Sequence, residues 1–170
     1  MKLHKLILAI AVGAASIGVA SADSLNKSIN LKATINDSIF VSKPDGSSWY
    51  GTEELEPDGF LQTKFTKVLP VRIYSTKNGF QVLLASPFQL ANGGLTMTGT
   101  AKLAGVTLSS TAQKIKMVTP AGSGTPAGSF DQQYDLEIEA ISPTVPEGVS
   151  RNGAYTGDLA MVFEATTITP

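Results

Sequence analysis

An amphipathic β-strand is predicted for residues 25–35, close to the N-terminus of the chain. Apolar side chains occupy every second position of this segment except Lys27, and polar side chains fill the positions between them. Strict alternation places successive side chains on opposite faces of an extended strand, because the strand repeat is two residues. Such a strand has to bury its apolar face, and the main question that this sequence raises is what it packs against.

Residues 1–22 have the pattern of a secretory signal peptide. Lys2 and Lys5 give a basic start, an apolar run follows, and Ala20-Ser21-Ala22 is the small-x-small pattern that signal peptidase cleaves. We therefore expect export and cleavage, after which the alternating segment begins the mature chain as a free β-arm. Removal of these residues from the 170 leaves 148, which is enough for one domain with a hydrophobic core.

The mature chain lacks side chains on which several kinds of chemistry depend. The one histidine, His4, lies in the signal peptide, and the sequence contains no cysteine. Ser-His and Cys-His catalysis, zinc sites built on nitrogen and sulfur ligands, and disulfides are therefore excluded. Without Lys2 and Lys5, 11 basic residues face 14 acidic ones, a net charge of −3, which argues against nucleic acid as a partner. We expect no enzyme activity, no cofactor and no metal site.

The pattern along the chain is that of an all-β sandwich. Valine, isoleucine, threonine and aromatic residues dominate, and glycine, proline, asparagine and aspartate interrupt them at short intervals. Strands are predicted at residues 39–42, 68–75, 79–85, 134–140 and 154–165, with a hairpin over 95–108 that turns at Ala104-Gly105. Surface loops are predicted at residues 49–60, 120–128 and 143–153.

Two groups of carboxylates are the candidates for a catalytic or calcium site. Their members are Glu53, Glu54, Glu56 and Asp58 in a polar loop, and Asp135, Glu137 and Glu139 on the outer face of a predicted strand. A glycosidase needs one carboxyl group in an apolar pocket that raises its pKa, and neither segment supplies one. The spacing also matches no calcium-binding loop. We interpret the first group as a solvated loop and the second as a face that discourages unwanted strand pairing.

The aromatic pair Trp49 and Tyr50 allows more than one interpretation. Two adjacent rings in a loop are suited to stack on a sugar, as carbohydrate-binding modules do. The same pair is equally suited to cap the sandwich or to line a contact between subunits. The sequence pattern does not decide among these three.

The N-terminal arm also allows two interpretations. The predicted last strand ends near Ala165, close to the end of the chain, whereas the arm at the other terminus is spare. The arm either pairs within its own domain as an ordinary first strand, or it replaces a missing strand in a second molecule, as in donor-strand complementation. The pattern by itself leaves both open.

Both ends of the chain resemble a known family. The segment Leu25-Asn-Lys-Ser-Ile-Asn-Leu-Lys-Ala-Thr-Ile35, followed by residues 39–41 and Asp45-Gly46, resembles the mature start of major pilins of the colonization-factor-antigen group. These are pilins of the coli-surface-antigen-one type, assembled by the alternate chaperone–usher pathway. The closing Gly153-Ala-Tyr155-Thr-Gly157-Asp-Leu159-Ala-Met161-Val-Phe163 is similar to the last strand of that family.

The resemblance extends over nearly the whole chain but is uneven. Length, signal peptide and absence of cysteine agree with the family, whereas residues 47–130 match it weakly. This chain has Asn36-Asp37 where the family often has Asp-Pro. A proline there would stiffen the bend between arm and body, so the joint is expected to differ in detail.

The resemblance implies an all-β, incomplete immunoglobulin-like sandwich that lacks its last strand and carries an N-terminal donor-strand arm. The arm would cover residues 23–35 and the pilin domain residues 36–170. The implied function is that of a major structural subunit of an adhesive fimbria at the cell surface, with a minor tip adhesin or a small secreted carbohydrate-binding module as the alternative. Its implied partners are other copies of the chain, a periplasmic chaperone, an outer-membrane usher and a minor tip adhesin.

The resemblance also assigns residues to the joint between subunits. The donor arm would present Leu25, Lys27, Ile29, Leu31, Ala33 and Ile35. The acceptor groove would be lined by Tyr155, Leu159, Met161 and Phe163. Lys27 would lie at the groove rim with its stem buried and its ammonium group in water, and Ala33 and Ile35 mark a boundary that the resemblance leaves open.

Overall fold

Ten β-strands make up the part of the chain that this computed structural model describes, residues 38–169. They are β1 Ile39–Ser42, β2 Glu56–Pro57, β3 Lys64–Ser75, β4 Gly79–Leu84, β5 Gln89–Asn92, β6 Leu95–Leu103, β7 Val106–Thr107, β8 Gln113–Lys116, β9 Phe130–Ile141 and β10 Met161–Thr166. Residues 38–169 contain no helix that is long and apolar enough to cross a membrane. The all-β prediction is confirmed, while the predicted signal peptide and N-terminal arm lie outside the described residues.

The strands form two sheets with every described pair antiparallel. The first sheet has the order β1-β3-β9-β6-β5, with β2 added to β3 and β7 added to β6. The second sheet has the order β10-β4-β8. The chain crosses between sheets several times, and for this reason strands distant in sequence become neighbours.

The inner faces of the two sheets bury one hydrophobic core. Its fully buried members include Val71, Ile73, Phe80, Val82, Leu103, Met117 and Leu136. The Phe80 ring is central: its centroid lies 5.6 Å from the centroid of the Tyr134 ring and 6.2 Å from that of the Phe163 ring. Burial of one such side chain stabilises the fold by roughly 1.5–3 kcal/mol, and this packing holds the sandwich together without disulfides.

Strand β9 shows the predicted alternation between its two faces. Leu136, Ile138 and Ala140 are buried, and Asp135 and Glu137 are exposed. An antiparallel sheet with one face on the core and the other in water requires this pattern. The predicted assignment of these side chains to the inner and outer faces of the strand is therefore confirmed.

The hairpin predicted at Ala104-Gly105 is also confirmed. Leu103 pairs with Val106, and the two turn residues have φ of +53° and +76°. Positive φ at both central residues defines a type I′ turn, whose twist matches that of the strands on either side. Glycine accommodates the second position without strain.

Strand β3 begins at Lys64, four residues earlier than predicted, and continues through a proline. Pro70 lies opposite Asp135 of β9, but its carbonyl points to the other edge, where it accepts a hydrogen bond from the Tyr50 hydroxyl at 2.7 Å. The missing N–H of Pro70 lies on that same edge, because N–H and C=O of one strand residue point the same way. The proline thus removes no ladder bond with β9.

The predicted strand over residues 154–165 is wrong in its first part, because β10 begins only at Met161. The backbone of Thr156 instead exchanges two hydrogen bonds with Ala91 of β5, at 2.8 and 3.0 Å. Gly157 lies so close to β5 that a Cβ would fall 2.1 Å from the Gln89 carbonyl oxygen. Residues 153–157 therefore cover the edge of the first sheet, and only afterwards does the chain enter the second. Strands β5 and β8 were not predicted, and β2 lies within residues 49–60, which were predicted as a surface loop.

Candidate functional site

Strands β1 and β10 are edge strands of different sheets and lie beside each other along one side of the sandwich. Within residues 38–169, β1 pairs only with β3 and β10 pairs only with β4. Each strand therefore presents a second edge whose backbone N–H and C=O groups pair with no described strand. Such an edge is a template for pairing with a further strand.

Apolar side chains fill the space between these two edges. Those of Ile39, Val41, Leu159, Met161 and Phe163 pack against the core but are only partly buried. Together with Trp49, which contacts Phe163, they line what we call the open side of the sandwich. A row of half-buried apolar groups between two unpaired edges is the surface that a strand with one apolar face would complete.

The other two sheet edges differ from the open side. Strand β8 places exposed Lys114 and Lys116 on its outer face, and lysine at an edge discourages pairing. Strand β5 is covered by the backbone of Thr156. Among the described edges, the open side is the one that is both apolar and uncovered.

Trp49 and Tyr50 cap the sandwich next to the open side. The Trp49 ring lies edge-on to Phe163 of β10 at 6.4 Å between centroids and to Tyr50 at 5.6 Å. Tyr50 is anchored by its hydrogen bond to the Pro70 carbonyl, and the Lys43 ammonium lies 5.0 Å from its ring centroid. Partial burial, with smaller effects of Glu53 and Asp45, raises the pKa of the Tyr50 hydroxyl.

Three of the seven acidic residues singled out from the sequence, Glu56, Asp58 and Glu139, form surface ion pairs. Glu56 accepts a hydrogen bond from Lys67 at 2.8 Å, which lowers the pKa of this carboxyl group. Glu139 lies 2.8 Å from the Lys64 ammonium. Residues 38–169 hold no group of three or more histidine, cysteine or acidic residues placed to bind a metal ion.

The predicted groove residues fall into two places. Met161 and Phe163 lie on β10 and Leu159 just before it, all three at the open side. Tyr155 lies outside β10, where its hydroxyl donates to the Arg151 carbonyl at 2.8 Å. The predicted donor residues Leu25, Lys27, Ile29, Leu31, Ala33 and Ile35 lie outside the described residues.

No sequence pattern assigned Ile39 or Val41 to the groove. Both are inward-facing residues of β1, and their alternation with exposed Phe40 was the available signal. A strand of four residues carries little pattern, and nothing in its sequence tells which of its edges is paired. The role of Trp49 was likewise open, since its contact with Phe163 joins residues far apart in the chain.

Comparisons with known proteins agree with this architecture. The sequence profile of the CS1 type fimbrial major subunit family matches residues 25–164. The structure of the CooA pilin subunit from enterotoxigenic Escherichia coli is similar, with a TM-score of 0.61, 18% sequence identity, and coverage of 74% of this chain and 86% of that chain. At this identity the likeness establishes the fold. No curated protein sequence matches the chain.

The fold is that of a pilin, an immunoglobulin-like β-sandwich. The chain belongs to the CS1 type fimbrial major subunit family. It is the major structural subunit of a cell-surface fimbria and assembles with copies of itself into a fibre. This finding favours the major subunit over the alternatives of a minor tip adhesin and a small secreted carbohydrate-binding module.

Proposed function

We propose that the subunits join by donor-strand complementation, in which residues 25–35 of one copy add a strand to the open side of the next. The observation that carries the proposal is the pair of unpaired edges, β1 and β10, with half-buried apolar side chains between them. The arm has the complementary sequence pattern, since apolar residues alternate with polar ones along most of residues 25–35. Backbone pairing would provide affinity and the alternate side chains specificity.

The arm would pair with β10 in the antiparallel direction found for every described strand pair in this protein, and it would then run parallel to the neighbouring β1. Its apolar residues would pack on Met161, Phe163 and Leu159, and Lys27 would lie at the rim. Tyr155 is not part of this proposal, because its backbone neighbours belong to the β5 edge.

The size of the interaction suits a permanent joint. Burial of Leu25, Ile29, Leu31 and Ile35 at ~1.5–3 kcal/mol each gives roughly 6–12 kcal/mol, an upper bound because the free arm is never fully extended. Such a joint would open slowly, so its practical stability is kinetic. Head-to-tail contacts of this kind do not close on themselves and therefore generate filaments.

The route to the fibre follows from the family resemblance. Residues 1–22 would direct export and be removed, a periplasmic chaperone would occupy the open side, and an outer-membrane usher would exchange it for the arm of the next subunit. A minor tip adhesin would end the fibre. The subunit itself would have a structural role without catalysis, a cofactor or a metal ion.

The proposal is tested by placing an aspartate at an apolar position of the arm and, as a control, at the neighbouring polar position. Ile29→Asp should abolish fibres, because it would bury an unpaired charge in the joint, whereas Asn30→Asp on the opposite face should leave fibres intact. Electron microscopy and sedimentation of the assembled material measure both. Fibres of equal yield from the two variants would contradict the face assignment, and fibres from a chain without residues 23–33 would exclude the arm as the joint.

A further inference from the structure

The hairpin between β2 and β3 ends in two large apolar side chains that point into solvent. Phe60 is 92% exposed and Leu61 is 60% exposed. They are adjacent in sequence at the tip of the turn, so their exposed surfaces form one apolar patch, which we call the β2–β3 tip. An isolated exposed apolar residue is ordinary, but two adjacent large ones at an apex form a surface suited to contact another protein.

The β2–β3 tip is held in place on both sides. Within the hairpin, Asp58 N–H donates to the Lys64 carbonyl at 2.8 Å, and Gln62 closes the turn with a φ of +49°. From outside, Arg151 Nη2 donates to the Leu61 carbonyl at 2.8 Å, and Ser142 Oγ donates to the Gln62 carbonyl at 2.6 Å. A positive φ at a residue other than glycine is unfavourable and persists only where the surroundings impose it.

The position of the β2–β3 tip in the fold is opposite to the point where the chain enters the domain. β1 begins at Ile39, which pairs with Ser75 at the β3–β4 turn. β10 begins at the far end, where Met161 pairs with Leu84, and it runs towards the turn. The tip precedes Lys64, which pairs with Ile141 at that same far end.

The geometry of a head-to-tail joint then decides what faces the tip. An arm antiparallel to β10 runs from the β3–β4 turn towards the tip, so the body of the subunit that donates it lies beyond the tip. That body begins at its own β3–β4 turn end, because its β1 begins there. We infer that the β2–β3 tip docks on the β3–β4 turn end of the copy whose arm fills the open side.

The β3–β4 turn end has a matching surface. Val118 is 67% exposed and lies next to this turn, since the N–H of Met117 donates to the Asn78 carbonyl at 2.9 Å. Exposed apolar side chains at both ends give this end-to-end contact an apolar centre.

The inference rests on donor-strand assembly and is tested by crosslinking in assembled fibres of the full chain. The chain contains no cysteine, so Leu61→Cys and Val118→Cys introduce the only thiols. Fibres of the double variant, treated with a short bifunctional maleimide and then dissociated in hot detergent, should give a ladder of covalent multimers. The single variants cannot link tip to turn end and should give no ladder. The matched control is the pair Val68→Cys and Val118→Cys, since Val68 is exposed on the outer face of β3, away from the tip.

The outcomes separate this inference from the assembly mechanism. A ladder from the Leu61 pair and none from the Val68 pair supports docking of the tip on the turn end. Normal fibres of the Leu61 pair that yield only monomers would overturn it while leaving donor-strand assembly intact. A fibre-forming Phe60→Ser/Leu61→Ser variant should also lose the wild-type rigidity under electron microscopy, and fibres as straight as wild type would count against the inference. Failure of the assembly mechanism is detected independently by the Ile29→Asp variant.

Discussion

At the residue scale, Tyr134 is a polar group that the core holds at a cost. Its hydroxyl is buried and has no hydrogen-bond partner among the described residues, while its ring packs against Phe80. Burial raises the pKa of this hydroxyl to about 12 from the ordinary value of 10.0. An unsatisfied buried hydroxyl is unfavourable, so the ring provides the stabilisation and the oxygen opposes it.

Tyr134→Phe should therefore leave the free energy of unfolding at neutral pH unchanged or raise it by up to ~1 kcal/mol. The raised pKa also means that the wild-type subunit loses stability as the pH rises from 10 through about 12, because the unfolded phenol ionises first. The variant should lack this part of the alkaline loss. Urea denaturation of the purified subunit at several pH values measures both effects.

Tyr74→Phe is the matched control, because the Tyr74 hydroxyl donates to Ser129 Oγ at 2.9 Å. Loss of that bond should cost about 0.5–1.5 kcal/mol at neutral pH. A Tyr134→Phe variant less stable than Tyr74→Phe would show that the Tyr134 hydroxyl has a partner in solution.

At the scale of an element, residues 153–157 close one edge of the first sheet before the chain enters β10. Two hydrogen bonds between Ala91 and Thr156 fix this segment, and the close approach of Gly157 to the Gln89 carbonyl leaves no space for a side chain. Thr156 and Gly157 therefore lie against β5 and do not begin the last strand.

Gly157→Ala should lower the free energy of unfolding by about 1–3 kcal/mol, because backbone atoms have to move to accept a Cβ. Gly122→Ala is the control, since a Cβ at Gly122 meets nothing within 4 Å and its φ is not positive. That variant should be neutral or slightly stabilising. Equal denaturation midpoints for the two variants would contradict the packing of the segment on β5.

At the scale of the whole molecule, assembly should be visible in the fluorescence of Trp49, the single tryptophan of the chain. Trp49 contacts Phe163 at the open side and is 37% exposed. A strand that enters beside β10 would remove water from the indole ring, which moves tryptophan emission to shorter wavelengths.

A subunit prepared without residues 1–35 should therefore bind a synthetic peptide of residues 23–35 with a shift of its emission to shorter wavelengths. The same peptide carrying Ile29→Asp is the control and should leave the spectrum unchanged. Peptide that binds by calorimetry without any change in emission would mean that the arm enters away from Trp49.

Much of the fold could be predicted because the relevant signals are local. The alternation of Leu136 and Glu137 reflects the two-residue repeat of a strand, and Ala104-Gly105 reflects the conformation of a tight turn. The β4 prediction was likewise nearly complete, since glycine begins it at Gly79 and its apolar positions are regular. Strands β5 and β8 were missed because each is a four-residue segment without an apolar pattern of its own.

The amino-acid sequence by itself determined that the chain is all-β and which residues of β9 face the core, and it predicts an arm with one apolar face at residues 25–35. These properties depend on neighbours in the chain. Only the tertiary structure decided which edges stay unpaired, that β10 begins at Met161, that Trp49 lies against Phe163, and that Phe60 and Leu61 project from a braced hairpin. Those properties depend on contacts between residues far apart in sequence, where backbone pairing and packing override the local pattern.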